Sequence, residues 1–115
     1  MTIEQRSVGS VTILDLNGRL VLGDGSGLLK DKVHSLAFQG HRQIVLNLGG
    51  LSYMDSAGLG ELIASHTTVS RDGGRIKIAN LTKSVSDLLT ITKVLTVFDA
   101  YDSESEAVKS FGASS

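Results

Sequence analysis

The chain has 115 residues, of which 41% are hydrophobic and 20% charged, and its formal net charge is −1. This length suits one domain, the balance is that of a globular protein, and the absence of a Lys/Arg run argues against a nucleic-acid partner. There is no cysteine for disulfides or thiol chemistry, no signal-peptide pattern at the start, and no apolar run near the ~20 residues that cross a bilayer. We therefore expect one cytoplasmic domain over residues 1–115, with its core at about residues 3–111.

Two strands and a helix are predicted in the first part of the chain. Residues 10–17 are rich in β-branched and apolar types, which indicates a strand. Residues 3–8 form a weaker strand candidate, paired with it through a turn at Gly9-Ser10. After a glycine-rich loop at residues 23–27, helical spacing predicts a helix that ends near Gly40. Its inward stripe would be Leu29, Val33, Leu36 and Ala37.

The middle of the chain has the strongest pattern. Residues 44–48 are continuously apolar and end at Gly49-Gly50, which indicates a buried strand. A helix is predicted to follow and to run to about Arg71. Its face would be formed by residues spaced i, i+3, i+4 and i+7, namely Leu59, Leu62, Ile63 and His66. Asp55 and Ser56 lie at the junction, and both are residue types that cap helix N-termini.

Two more strands and two more helices are predicted towards the end. Residues 75–79 alternate as a strand with one exposed face does. Thr82 or Ser84 would cap a third helix, and residues 94–98 would form a short final strand. Ser103 and Glu106 form a capping box for the last helix, which would bury Ala107, Val108 and Phe111.

The order of these elements predicts an α/β fold. Strands that alternate with helices indicate a largely parallel or mixed sheet. We expect four to five strands and about four helices, with the helices covering one face of the sheet.

The junction at Ser56 has the chemistry of a phosphate site. A helix N-terminus carries unpaired N–H groups and the positive end of the helix dipole, so a serine hydroxyl there is a natural seat for a phosphate. Helix capping alone also explains Asp55 and Ser56, and the two roles are compatible.

A family resemblance rests on Asn47-Leu48-Gly49 and on Met54-Asp55-Ser56-Ala57-Gly58-Leu59-Gly60. These motifs resemble the signature of bacterial anti-sigma factor antagonists, the small proteins of the STAS-domain family. The resemblance includes Gly18-Arg19-Leu20 and Gly73-Gly74, and it covers the chain from about residue 3 to residue 111. It also implies the same arrangement of sheet and helices.

The resemblance implies a regulatory binding protein and not an enzyme. In that family, the serine matching Ser56 is phosphorylated by a partner that is both anti-sigma factor and serine kinase. The unmodified protein binds this partner and so releases a sigma factor. No cofactor is expected on this chain, because ATP and Mg²⁺ would belong to the kinase, and a phosphatase would reset Ser56. We expect the partner to contact Met54, Asp55, Ser56, Ala57, Gly58, Leu59 and Asp24.

The expected contact residues have different roles. Asp55 would cap the helix and orient the serine hydroxyl, and Gly58 and Gly60 would keep the surface low. Met54 and Leu59 would offer apolar contact, although Leu59 also suits the core, and Tyr53 suits either. Many family members have an acidic residue after the Gly-x-Leu motif, where this chain has Val21. Asp24, three residues on, would approach Ser56 instead.

Other activities fit the sequence less well. A nucleophile elbow needs glycine two residues before the serine, and that position is Met54. His66 lies on the helix stripe, where a packing role is expected. Gly23, Gly25 and Gly27 lack a Walker ending, and the three histidines have no metal-ligand spacing. The remaining alternative is a STAS module of another assembly, such as a transporter subunit or a stress-sensing scaffold.

Overall fold

The computed structural model describes residues 1–23 and 27–112. Within these residues the chain forms four α-helices and one five-stranded sheet of order β1-β2-β3-β4-β5. The strands are β1 (Thr2–Val8), β2 (Val11–Leu20), β3 (Gln43–Met54), β4 (Arg75–Ala79) and β5 (Asp99–Tyr101). The helices are α1 (Leu28–Phe38), α2 (Ser56–Arg71), α3 (Lys83–Ile91) and α4 (Glu104–Ser110). β1 is antiparallel to β2 and all other neighbours are parallel, which confirms the predicted mixed sheet.

The helices cover both faces of the sheet, so the prediction that they cover one face was wrong. On one face, Leu14 and Leu16 of β2 join the large core beneath α1, α2 and α3. On the other face, Val11 and Ile13 join a smaller core with Ala107 of α4. Alternate side chains of β2 are apolar on both sides, so neither face can be left to solvent.

The predicted exposed face of β4 is covered by α4. Lys77 is only 6% exposed, and its Nζ donates hydrogen bonds to the carbonyl oxygen of Ser110 at 3.1 Å and to Ser110 Oγ at 2.8 Å. The alternation of charged and apolar residues suggested a solvent-facing side. The partner that covers this side is distant in sequence, and local periodicity does not reveal it.

The predicted strand at residues 94–98 was also wrong. This segment is a 3₁₀ turn (Val94–Thr96), and β5 begins after it. Lys93, with φ of 62°, ends α3 in the left-handed region and redirects the chain. The amides of Val97 and Phe98 then bond to the Val94 carbonyl oxygen at 2.9 and 3.3 Å. Val94 and Phe98 are buried in the large core as a result.

The inward face of α2 differs from the predicted stripe. Its buried residues are Gly58, Glu61, Leu62, Ser65 and Val69. Ile63 is 37% exposed, and Leu59 is only partly buried against the core. The spacing of apolar residues did not predict this face, because small and polar residues occupy much of the inner side of the helix. His66 has the expected packing role, since its ring meets that of Phe98 edge-on with centroids 4.9 Å apart.

Other local predictions were confirmed. β1 and β2 form the expected hairpin, and all residues of the predicted α1 stripe are buried. Thr82 caps α3, and Ser103 caps α4 by accepting a hydrogen bond from the Glu106 amide. By contrast, the predicted end of this strand at Gly49-Gly50 was wrong, because β3 runs on to Met54. Glycine is needed at position 50, since a side chain there would overlap Asn17 where the pairing of β3 with β2 is irregular.

A chain of polar side chains crosses the α4 face of the sheet. Arg6 of β1 contacts Glu104 of α4 and donates from Nε to Asp15 Oδ2 at 2.6 Å. Asn47 Nδ2 donates to Asp15 Oδ1 at 2.8 Å, and Asn80 Nδ2 donates to Asn47 Oδ1 at 3.1 Å. The hydrogen bond from Arg6, followed by that from Asn47, holds the pKa of Asp15 below its ordinary value.

Replacing Asp15 by Asn should lower the free energy of unfolding by about 1–2 kcal/mol near neutral pH, because the amide loses the charge-assisted bond with Arg6. The lowered pKa means that this contribution is complete above the ordinary value of 3.8. It is lost as the pH falls through the lower pKa of the folded state. Urea unfolding of both proteins at about pH 7 and about pH 2 measures the difference.

Asp87→Asn is the matched control, because Asp87 is exposed and pairs with the exposed Lys83 across one helix turn. It should change stability by less than about 0.5 kcal/mol. A penalty for Asp15→Asn that does not shrink at acid pH would contradict the role assigned to its charge.

Candidate functional site

The junction between β3 and α2 is built around Asp55. Its backbone is extended, and its Oδ1 accepts a hydrogen bond from the Gly58 amide at 2.8 Å, which confirms the predicted N-cap. Its Oδ2 accepts a second bond from the Leu22 amide at 3.0 Å. These bonds, that of Gly58 first, lower the pKa of Asp55. One ionised carboxylate therefore ties the first turn of α2 to the segment that follows β2.

Ser56 is the first residue of α2 and is exposed. Its hydroxyl makes no hydrogen bond with any residue that the structure describes. The prediction that Asp55 orients this hydroxyl is not met, because no hydrogen bond joins the two side chains, and the hydrogen bonds that Asp55 accepts come from the backbone amides of Leu22 and Gly58. The serine oxygen is therefore presented to solvent at the positive end of a sixteen-residue helix.

Two predicted contact residues belong to the interior. Met54 is 3% exposed and packs in the large core, so its side chain is not available for apolar contact. Gly58 is buried, and a side chain there would overlap the carbonyl oxygen of Leu20. Gly58 is therefore needed for helix–strand contact and not to keep the outer surface low. Gly60 has open space around it, in agreement with the low surface expected there.

The other predicted residues differ in accessibility. Ala57 is half-buried beside Ser56, and Leu59 leans against the core. Asp24, expected near Ser56, lies outside the described residues. Val21, which replaces the acidic residue of many family members, is 8% exposed. An apolar residue in this buried position provides no charge to the site.

Two apolar side chains at the junction are exposed. Leu22 was not predicted as a contact residue, and for Tyr53 the prediction left open whether it belongs to the core or to the contact surface. Leu22 is 75% exposed and Tyr53 is 50% exposed. Arg19 pairs with Tyr53 across β2 and β3, and its guanidinium carbon lies 6.0 Å from the centre of the tyrosine ring. Strand alternation alone does not predict this exposure, because Leu51 and Met54 are both buried in the large core and the pairing of β2 with β3 shifts register between Leu51 and Tyr53.

A shallow groove lies beside Ser56, between the first turns of α1 and α2. It encloses about 340 Å³ and is lined by Gly27, Lys30, Ala57, Gly60, Glu61 and Ala64. α1 has no side-chain cap of its own. Instead, Glu61 Oε1 of α2 accepts a hydrogen bond from the Lys30 amide at 2.9 Å. The groove therefore lies between two helices that this hydrogen bond joins, and four of its six lining residues are glycine or alanine.

The sequence profile of the STAS domain family matches residues 2–107. The chain belongs to the STAS domain family. This STAS domain is also similar to individual relatives over 63% to 94% of its length. No helix among the described residues is long and apolar enough to cross a membrane.

Two relatives with assigned names and one solved structure are described as anti-sigma factor antagonists. The anti-sigma-B factor antagonist of Bacillus subtilis (strain 168) is 35% identical over 72 residues, which are 63% of this chain and just under two thirds, 65%, of that protein. The anti-sigma F factor antagonist of Paenibacillus polymyxa is 25% identical over 94% of this chain and 92% of that protein. A crystal structure of a candidate anti-sigma factor antagonist from Thermotoga maritima has a TM-score of 0.87 and 26% identity, with 94% and 92% of the two chains covered.

The two glycines in the first turns of α2 should respond oppositely to alanine. Gly58→Ala should lower the free energy of unfolding by about 1–3 kcal/mol, because the new methyl group overlaps the Leu20 backbone. Gly60→Ala should raise it by about 0.5–1 kcal/mol, because alanine favours an exposed helix position and meets open space. Chemical denaturation of both variants measures this. A similar effect for the two would contradict the assigned contact.

Proposed function

We propose that this STAS domain is an anti-sigma factor antagonist that phosphorylation of Ser56 switches off. The names of its relatives support the binding role. The observation that favours Ser56 as the switch is its position, exposed at the first residue of α2 in a turn that Asp55 already holds in place. A kinase can reach this hydroxyl without unfolding any of the surrounding structure.

The unmodified surface around Ser56 would bind the anti-sigma factor. Leu22 and Tyr53 are exposed near this junction and would offer apolar contact. Ala57 and Gly60 line the groove, where a partner can approach the helix backbone closely. We propose that the partner is a serine kinase that brings its own ATP and Mg²⁺, that binding releases a sigma factor in the cytoplasm, and that a phosphatase resets the serine.

Phosphorylation adds about −1.5 to −2 charges at this point. The helix dipole favours that charge by only about 0.3–1 kcal/mol at an exposed end. Asp55 is the preceding residue, and its lowered pKa keeps it negative. A phosphate enclosed in the interface beside this carboxylate would be desolvated and repelled, which costs more than the dipole returns. The complex should therefore dissociate while the fold remains unchanged.

Ser56→Ala should bind the anti-sigma kinase as wild type does and keep binding in the presence of ATP and Mg²⁺. Ser56→Asp should bind about tenfold more weakly or worse, a change of about 1.4 kcal/mol. Isothermal titration with the partner recovered by pull-down measures both. Ser105→Asp is the control, because Ser105 is an exposed serine in α4, away from this junction.

Equal affinity of Ser56→Ala and Ser56→Asp would overturn the switch. A pull-down that recovers transporter subunits, and no sigma-factor regulator, would instead favour the role of a STAS module in another assembly. In that case the fold and the exposed serine stand, and the sigma-factor assignment falls.

Leu22→Ser should weaken partner binding by about tenfold or more, because burial of a leucine side chain stabilises a contact by about 1.5–3 kcal/mol. Ile91→Ser is a matched control, since Ile91 is the last residue of α3 and its side chain is likewise highly exposed, at 78%. Both changes are on the surface, so thermal melting should show folded proteins of similar stability. Equal binding by the two variants would show that the apolar contact at Leu22 is not part of the interface.

A further inference from the structure

The outer edge of β1 is an open strand edge within the described part of the chain. β1 is the first strand in the order of the sheet, and β2 is its one neighbour there. Its seven residues pair with β2 in continuous register, without a bulge, and the chain contains no proline. Soluble proteins usually shorten, bulge or cover such an edge, because its unpaired backbone groups bind other strands. The strand at the other edge, β5, has only three residues.

The turn between β1 and β2 determines which backbone groups of β1 point outward. Val8 and Val11 pair across a turn of two residues, so these two residues exchange hydrogen bonds directly. Hydrogen-bonded and non-hydrogen-bonded pairs alternate along antiparallel strands. The even-numbered residues of β1 therefore bond to β2. The N–H and C=O groups that point to the outer edge belong to the odd-numbered residues Ile3, Gln5 and Ser7.

Glu4 carries a negative charge at this edge without a cation beside it. Its side chain is exposed, and the register places it opposite Asp15, a like charge. Within the described residues, Glu4 forms no ion pair. Arg6 lies on the same face of the strand, and its guanidinium donates two hydrogen bonds to Asp15 and two to Glu104. A guanidinium has five N–H donors, so one donor remains for a further carboxylate.

A second copy of β1 can supply the missing cation in one register. Antiparallel pairing places outward-pointing residues opposite each other, so a two-fold axis passes through a residue position. An axis at Gln5 places Glu4 of each copy opposite Arg6 of the other. An axis at Glu4 or at Arg6 would instead place like charges opposite each other. An axis at Ile3 or at Ser7 would pair neither charge with its opposite.

We propose that β1 pairs antiparallel with β1 of a second copy of this chain, about a two-fold axis at Gln5. In this register all seven residues of the strand overlap. Gln5 pairs with its own copy and Ile3 with Ser7, and these pairs exchange backbone hydrogen bonds. Glu4 and Arg6 form the non-hydrogen-bonded pairs, in which Cα atoms are only about 4.5 Å apart and side chains are closest.

The pairing joins two five-stranded sheets into one sheet of ten strands. Charge complementarity and full overlap of the strand select the same axis, which is the observation that favours a second copy over an unrelated peptide. β1 contributes no residue to the candidate site at Ser56. The inference therefore does not depend on the proposed function.

Sedimentation of the whole chain from micromolar to submillimolar concentration tests the proposal. We expect a reversible equilibrium between monomer and dimer. Glu4→Arg should weaken the dimer by about tenfold or more, because both attractive Glu4–Arg6 pairs become repulsive. Asp72→Arg is the matched control, since it makes the same change of charge at the exposed C-cap of α2. A chain that stays monomeric, or equal dimerisation of the two variants, would overturn the proposal.

Gln5→Pro tests the backbone contact. Proline lacks an N–H group, and the N–H at this position points away from β2, so the hairpin should keep its own hydrogen bonds. The variant should remain folded by thermal melting and dimerise at least tenfold more weakly. Gln5→Ala keeps the amide and should dimerise as wild type does. If a folded Gln5→Pro protein dimerises like Gln5→Ala, the interface lies elsewhere and the proposal fails.

Single-cysteine variants test the register, because the chain has no cysteine of its own. In the proposed dimer the Cα atoms of the two copies of Gln5 are about 5.5 Å apart, within the range of about 4.4–6.8 Å for disulfides. Gln5→Cys should therefore form a disulfide-linked dimer on mild oxidation. Ser7→Cys is the matched control, because Ser7 is exposed on the same face and edge. Its two copies would be about 13 Å apart along the strands. Equal cross-linking of the two variants would contradict the register.

Discussion

The first turn of α2 rests directly on the backbone of β2 at Leu20, and the geometry of the Ser56 site depends on this contact. The Leu20 carbonyl oxygen accepts the Asp55 amide at 3.3 Å, and Gly58 leaves no atom that would push the helix away. Asp55 completes the clamp by binding Leu22 beyond the strand. The serine is therefore positioned by contacts among the end of β2, the residues that follow it and the first turn of α2. Its own hydroxyl takes no part in these contacts.

Short-range patterns predicted the elements near the site well. The Asp55 cap, the stripe of α1 and the hairpin of β1 and β2 each depend on residues close in sequence. Resemblance to a known signature, and not periodicity, singled out Ser56 as more than a capping residue. Whether the serine is phosphorylated remains a prediction.

The errors came from contacts between segments distant in sequence. The second face of the sheet is covered by α4, and no pattern within β4 predicts this cover. Gly58 resembles a surface glycine until β2 is placed beneath it. Met54 appears accessible from its place beside the serine, but the continuation of β3 turns its side chain into the core. In each case the deciding neighbour lies tens of residues away.

The hydrogen bond from the Lys30 amide to Glu61 has a consequence for communication within the molecule. The N-terminal turn of α1 has no side-chain cap of its own, and a glutamate of α2 accepts a hydrogen bond from one of its amides. This polar contact joins the N-terminal parts of the two helices. A partner that rotates or lifts the start of α2 would leave the Lys30 amide without its acceptor and expose it to solvent exchange. The exchange rate of that single proton would thus report on events at the neighbouring helix.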